Sequence, residues 1–331
     1  MSKIRPSKGA PYARIMGVGG YRPVRVVPNE VILETIDSSD EWIRSRSGIA
    51  TRHWASPEET VAAMSIEASG KAIADAGITA DQIGGVIVST VSHFKQTPAV
   101  ATEIADKLGT DKAAAFDISA GCAGFGYGLT LAKGMVVEGS AEYVLVIGVE
   151  RLSDLTDLQD RATAFLFGDG AGAVVVGPSD EPAIGPTIWG SEGDKSETIK
   201  QTVPWTEYDS SGKFPAITQE GQAVFRWAVF EMAKVAQQAL DAAGISPDDL
   251  DVFIPHQANM RIIDSMVKTL KLPDHVTVAR DVETTGNTSA ASIPLAMERL
   301  LATGQAKSGD TALVIGFGAG LVYAATVVTL P

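Results

Sequence analysis

Hydrophobic positions along the chain fall into two patterns. Short, nearly unbroken apolar runs such as GGVIVSTVS, AAAFDIS and YVLVIGVE read as strands buried on both faces. Between them, apolar residues recur at helical spacing. Ala62 to Ala76 predicts a long helix that stops at Gly77. TPAVATEIADKLG predicts another, with Pro98 near its start. A third helix begins at Cys122 and ends near Gly139, and a fourth follows Asn287 through Ala290, Ile293, Ala296 and Leu300. A strand from Ala13 to Gly19 opens the chain, followed by a turn around Pro23. Val27 to Ile49 reads as polar and helical, with Ser39 as a cap just before Trp42. GDGAGAVVVGP reads as a glycine turn entering a strand. It lacks the spacing of a phosphate loop. From Pro178 to Gly221 the pattern is irregular and polar, and DSSGK within it reads as flexible.

The pattern repeats. KAIADAGITADQIGGVIV resembles QQALDAAGISPDDLDVFIP, with Gly77 matching Gly244 at an offset of 167. VLVIG at Val144 matches ALVIG at Ala312, an offset of 168. The turns GDGAG and GFGAG look alike, but their offset of 148 breaks the register and carries no weight. Each half alternates helix and apolar strand, which predicts an α/β fold of two duplicated halves, each a mostly parallel sheet covered by helices. The expected organisation is an N-terminal half over 1–180, linker and surface loops over 181–220, and a C-terminal half over 221–331. Two similar halves pack most simply about a pseudo-twofold axis. Gly121-Cys122 and Gly286-Asn287 would then meet at the shared interface.

Composition narrows the function. A net charge of -13 without a long basic run argues against nucleic-acid binding. The single cysteine excludes an internal disulfide and a cysteine-built metal site, and the four histidines show no metal-ligand spacing. MSKIRPSKGAP lacks an apolar signal core, and no apolar run approaches the roughly eighteen residues of a membrane span. The expectation is a cytoplasmic protein without a membrane segment.

One cysteine, one histidine and one asparagine stand where strand patterns give way to turns or helix starts: Cys122, His256 in IPHQANMRII, and Asn287. Cys122 opens a helix, where unpaired amides and the dipole favour the reactive thiolate. Its own N–H can donate to a bound carbonyl, and an amide of GFGAG can be the second donor. His256 and Asn287 offer N–H donors to another oxygen. A protease of the Cys-His-Asn type is a rival using the same residue types, though no protease signature surrounds Cys122.

The whole chain resembles the β-ketoacyl-[acyl-carrier-protein] synthase III family, initiating condensing enzymes of the thiolase fold. The resemblance rests on DEWIRSRSGI, FDISAGCAGF, DRATAFLFGDGAGA, PHQANMRII, GNTSAAS and GFGAG. Elongating synthases use two histidines, and thiolases a second cysteine near the end of the chain; this chain matches neither. Plant-type polyketide synthases also use Cys, His and Asn, but lack the GNTSAAS and GFGAG wording. The resemblance implies a five-layered α-β-α-β-α arrangement. It makes Cys122 the nucleophile and His256 and Asn287 the donors to the malonyl thioester oxygen, with the amides of Cys122 and Ala319 as the oxyanion hole. Trp42 and Arg161 would stack the coenzyme A adenine, and Arg46 would lie near its phosphates. Thr97 and Phe317 would border the acyl pocket. Arg226, Arg261 and Lys268 would form a basic patch for an acidic acyl carrier protein. No site is assigned between Glu192 and Phe214, a stretch shorter than the family's. The implied reaction transfers an acyl group from acyl-CoA to Cys122 and condenses it with malonyl-carrier protein. Acyl-CoA is a substrate, no metal or other cofactor is needed, and a homodimer is expected. Acetyl and short branched primers are both expected. Alternatives are a starter-unit synthase of a polyketide pathway and a non-catalytic acyl-CoA or carrier-protein binder.

Overall fold

A computed structural model describes residues 4–110, 112–209, 212 and 214–331; Ser210, Ser211 and Lys213 of the DSSGK run lie outside them. Two five-stranded sheets dominate. The first contains β1 (Tyr12–Tyr21), β2 (Ile83–Ser89), β3 (Ala114–Ile118), β4 (Tyr143–Arg151) and β5 (Asp169–Ser179). The second contains β6 (Ile188–Ser191), β7 (Val252–Pro255), β8 (Thr277–Val278), β9 (Thr311–Gly318) and β10 (Val322–Thr329). Their strand orders, β3-β2-β4-β5-β1 and β8-β7-β9-β10-β6, correspond position by position. The directions correspond too. The first three strands of each order are parallel, and the last two pairings are antiparallel. Each sheet is therefore mixed rather than mostly parallel. An unbroken apolar run reports burial on both faces, and β4 and β5 are equally buried although they run in opposite directions.

The longer helices are α1 (Asp40–Ser47), α2 (Val61–Asp75), α3 (Val100–Leu108), α4 (Gly124–Glu138), α5 (Gly221–Phe230), α6 (Met232–Ala243), α7 (Met260–Leu270) and α8 (Ser292–Ala302). Alternation along the strands sorts them into layers. Ile87, Val144 and Val146 of the first sheet and Ile254 and Val314 of the second face one shared core, which holds Phe125 and Leu129 of α4 and Ile293 and Met297 of α8. Val86, Val88 and Ile147 point the other way, against α2 and α3. Phe253, Leu313 and Ile315 point outward onto α5, α6 and α7. The result is the five-layered α-β-α-β-α stack. Each fully buried aliphatic or phenylalanine side chain in these cores contributes about 1.5–3 kcal/mol of transfer free energy.

Close contacts across the central layer define the pseudo-twofold. A Cβ on Gly148 of β4 would lie 2.1 Å from the carbonyl oxygen of Ala290; a Cβ on Gly316 of β9 would lie 2.8 Å from that of Cys122. Each half thus presents a strand glycine to the turn of the other, at positions related by the same offset.

Two segments differ from the sequence reading. Val27 to Ile49 is not one helical stretch. Arg25–Pro28 pairs with Thr51–Trp54 as a ribbon, Asn29–Leu33 is a short helix, and α1 begins only after Ser39. Ser39 caps α1 as expected, its Oγ accepting from the Trp42 amide at 3.1 Å. Part of the expected linker is β6, the edge strand of the second sheet. Only alternate residues of this edge strand are partly covered, so no apolar run marks it.

Candidate active site

Cys122, His256 and Asn287 line one cavity of about 510 Å³, with Phe317 and Ala319 in the same wall. Corresponding turns of the two halves meet there, though in a different register from the one expected. The 3₁₀ turn Gly121–Ala123 before α4 corresponds to Ser289–Ala291 before α8. Cys122 therefore matches Ala290, and Asn287 matches Ser119. The shared glycine before each residue had suggested a closer equivalence.

Cys122 is partly open to the cavity, yet protein packs closely around its sulfur. A Cβ on Gly318 would sit 2.9 Å from Sγ, so only glycine leaves room for the thiol. Burial pushes the Cys122 thiol up to about 12; the nearby Glu150 carboxylate acts in the same direction, while the Ser289 hydroxyl and the Cys122 amide pull it down. The resting group is a thiol rather than the thiolate expected from its place at a helix start. A 3₁₀ turn separates it from α4 proper, and desolvation outweighs the dipole. Among the described residues, neither the Cys122 nor the Ala319 amide donates to another backbone carbonyl. Both remain available to an oxyanion.

His256 leaves β7 with its backbone N–H donating to the Ile315 carbonyl at 2.7 Å. Its Nδ1 lies 2.7 Å from Ser292 Oγ, which also accepts from the Gln257 amide at 3.3 Å. In the tautomer with the ring proton on Nε2, the Ser292 O–H donates to Nδ1. Nε2, the donor in that tautomer, has no hydrogen-bond partner among the described residues. Burial pulls the His256 pKa down to about 3, so the imidazole is neutral at physiological pH. Phe317 meets the ring edge-on, with centroids 5.4 Å apart.

Asn287 is held by its backbone, donating to Leu166 O at 2.9 Å and accepting from the Gly168 amide at 3.0 Å. Its Oδ1 accepts from the Ser289 amide at 2.9 Å, which turns Nδ2 away as a free donor. Gly286 makes this possible. Its φ is +74°, and a Cβ there would lie 2.8 Å from that of the fully buried Arg52. Gly286→Ala is expected to cost about 1–3 kcal/mol from backbone strain. Thermal unfolding would show the loss, and an unchanged midpoint would mean the loop relaxes freely.

The remaining predicted residues lie outside this cluster. Trp42 carries Arg161 over its ring at 5.1 Å and Arg46 at 5.9 Å, and packs edge-on against Phe165. Arg261 on α7 lies over Phe225 of α5 at 5.0 Å, next to the exposed Arg226; Lys268 is exposed on α7. Thr97 is exposed and does not line its own chain's cavity, although Phe94, Lys95 and Gln96 do. The stretch left without a site contributes Ile199, Gln201 and Trp205 to the cavity wall. Sequence reading also passed over Ser292, Gly318, Ser289 and Glu150. The signal for Glu150 was visible: an acidic residue ending the apolar run YVLVIGVE. No helix among the described residues is long and apolar enough to cross a membrane. Nor do the described residues include a group of three His, Cys, Asp or Glu that could hold a metal ion.

A duplicated five-layer fold with cysteine, histidine and asparagine converging at its pseudo-dyad defines a condensing enzyme of the thiolase superfamily. Comparison with known proteins narrows this. Residues 116–193 match the 3-oxoacyl-[acyl-carrier-protein] synthase III family, and residues 240–330 match its C-terminal counterpart. The chain is 90% identical to β-ketoacyl-[acyl-carrier-protein] synthase III of Streptomyces glaucescens, with 100% of both chains covered. Its fold is similar to that of the priming β-ketosynthase of the R1128 polyketide pathway (TM-score 0.97, 46% identity, 100% of this chain and 99% of that one). It is also similar to 3-oxoacyl-[acyl-carrier-protein] synthase III of Aquifex aeolicus (TM-score 0.88, 37% identity, 96% and 99%). The chain belongs to the β-ketoacyl-[acyl-carrier-protein] synthase III family. It is an acyltransferase that catalyses the decarboxylative Claisen condensation of acyl-CoA with malonyl-[acyl-carrier-protein] in fatty-acid synthesis.

Proposed function

We propose that Cys122 carries the acyl group, that His256 and Asn287 hold the malonyl thioester oxygen, and that the amides of Cys122 and Ala319 hold the acyl oxygen. The observation that carries this assignment is the convergence of Cys122, the neutral His256 ring and the free Asn287 amide on one cavity. Cys122 attacks the acyl-CoA thioester and CoA leaves. Malonyl-carrier protein then enters and loses carbon dioxide, and negative charge develops on its thioester oxygen between the His256 and Asn287 donors. The resulting enolate attacks the acyl carbonyl and frees Cys122. Fixed donors aimed at developing charge are the largest contribution such a site makes. A panel of acyl-CoAs with malonyl-carrier protein, read by intact mass, tests the scheme. It predicts an acyl adduct on Cys122 that malonyl-carrier protein discharges.

In this reading the coenzyme A adenine enters between Trp42 and Arg161, replacing the present cation–π contact, and Arg46 meets its phosphates. Arg226, Arg261 and Lys268 receive an acidic carrier protein. A local basic patch is required because the net charge of -13 opposes that approach. We propose a homodimer in which Thr97 closes the acyl pocket of the other subunit. Its exposure, beside cavity-lining Phe94 to Gln96, supports this.

Threonine is small, so acetyl, butyryl and branched primers such as isobutyryl should all be accepted. Each buried methylene gains about 0.8 kcal/mol when it fits. Thr97→Phe should depress kcat/KM for butyryl- and isobutyryl-CoA relative to acetyl-CoA. If the ratios do not change, Thr97 does not set the depth of the pocket.

A further inference from the structure

Arg52 has the largest fully buried side chain among the described residues. None of their carboxylates lies within ion-pair distance of it. A buried cation without a counter-ion is costly, and hydrogen bonds must satisfy it. Nη1 donates to the Val27 carbonyl at 3.2 Å; Nη2 donates to Asn29 Oδ1 at 2.6 Å and to the Phe165 carbonyl at 2.8 Å. Nε has no partner. Burial pulls the pKa of Arg52 down to about 10, which leaves it charged at physiological pH. The scheme above gives this residue no task.

Two of its acceptors lead to different parts of the site. Asn29 is itself fully buried, and its Nδ2 donates to Asp40 Oδ1 at 2.7 Å and to the Ile49 carbonyl at 2.9 Å. Asp40 is the first residue of α1, and Ile49 lies just past its end. One amide therefore ties both ends of the helix that carries Trp42 and Arg46 to Arg52. A guanidinium only donates and an ionised carboxylate only accepts, so Arg52 and Asp40 together fix which way the Asn29 amide faces. Phe165, bonded directly to Arg52, packs edge-on against Trp42 with centroids 5.5 Å apart. The same segment continues to Leu166 and Gly168, which hold the backbone N–H and carbonyl of Asn287. Phe167 pairs with Asn287 as a single bridge. The stem of Arg52 fills the space beside this junction: its Cβ would lie 2.8 Å from a Cβ on Gly286 and 3.3 Å from one on Gly168.

We propose that Arg52 is a positioning residue that holds the coenzyme A clamp, Trp42 with Arg161, and the malonyl-oxygen donor Asn287 in one fixed relation. It touches no substrate and moves no proton. Its charge-assisted bonds to Asn29 and Phe165 set α1 and the Phe165–Gly168 segment against each other, and Asn287 hangs from the second of these.

The inference rests on the roles proposed above for Trp42, Arg161 and Asn287, so Trp42→Ala and Asn287→Ala are included to test those roles alone. Coenzyme A affinity is read by calorimetry, acylation by acetyl-CoA by intact mass, and carbon dioxide release from malonyl-carrier protein as a rate. Wild type, Arg52→Lys, Arg52→Met and Asp40→Ala are compared, with thermal midpoints. Arg52→Met should bind coenzyme A about tenfold more weakly. It should release carbon dioxide up to about a hundredfold more slowly, the scale of a misplacement of about 1 Å. Its acylation rate at saturating acetyl-CoA should be retained, because the Cys122 and Ala319 amides lie outside this network. Arg52→Lys keeps the charge but not the fork, and should recover part of both losses. Asp40→Ala, at a half-exposed position, cuts only the arm to α1. It should weaken coenzyme A binding and leave carbon dioxide release at the wild-type rate. If Arg52→Met does not fold, Arg52→Lys and Asp40→Ala decide by the same readings. A purely structural role would lower every rate equally through the folded fraction and leave KM for acetyl-CoA unchanged; that result would overturn the inference. So would wild-type affinity and decarboxylation in the folded Arg52 variants, or wild-type coenzyme A binding in Asp40→Ala. Wild-type coenzyme A binding in Trp42→Ala, or wild-type decarboxylation in Asn287→Ala, would instead overturn the underlying roles.

Discussion

Replacing Cys122 with serine is expected to abolish transacylation, lowering its rate by about four orders of magnitude or more, the scale seen when a nucleophile is removed. The replacement is nearly isosteric, and Gly318 already leaves the space, so the fold should be unchanged. The loss is chemical. Burial holds even the thiol at about 12, and a serine hydroxyl is far harder to ionise in the same surroundings. Labelled acyl-CoA and intact mass report the result. Stoichiometric acylation of the serine variant, or an adduct that persists elsewhere on the chain, would remove Cys122 from the mechanism. Malonyl decarboxylation offers an internal control, because its proposed donors on His256 and Asn287 are untouched.

The central strands, the duplication and the convergence of the three candidate residues were legible in the sequence for physical reasons. Strands buried on both faces must be continuously apolar, so β2, β4 and β9 stood out. The matches at Gly77/Gly244 and VLVIG/ALVIG reflect equivalent helix ends and equivalent central strands, where packing tolerates little change. Strand direction was not legible, because an apolar run has no polarity; hence the mixed sheets. The edge strand β6 carries no apolar run for the same reason that edges need none: half of it meets solvent. The expected equivalence of Cys122 and Asn287 failed by three residues, because the glycines that announce the two turns, Gly121 and Gly286, solve different problems. Both have positive φ, but Gly121 opens the 3₁₀ turn before α4, whereas Gly286 lies outside the matching turn and also has to clear Arg52. The state of the thiol was also illegible. A helix start argues for a thiolate, while the opposing burial, and the Glu150 carboxylate that adds to it, come from segments distant in sequence.

The two half-reactions should separate in His256→Ala and Asn287→Ala. Both variants should still acylate Cys122, whose proposed oxyanion donors are backbone amides that neither substitution removes. Both should lose decarboxylation by about a hundredfold, since losing one donor to developing negative charge costs about 3 kcal/mol. The structure adds a condition on how His256 acts. Its pKa lies near 3 because it is buried, and Ser292 occupies Nδ1. In the proposed role it is a neutral Nε2–H donor throughout the working range. Protonation would begin only as pH falls toward 3, so wild-type decarboxylation should show no acid limb from His256 between pH 5 and 8. Ser292→Ala should weaken the reaction by removing the partner that fixes the tautomer, and acylation should survive. Rates of carbon dioxide release from malonyl-carrier protein, measured across that range, decide the matter. Decarboxylation at wild-type rates in both alanine variants would show that neither side chain holds the malonyl oxygen. A limb near pH 6.5 that vanishes only in His256→Ala would show that the imidazole is charged, or acts as a base, rather than donating as a neutral ring.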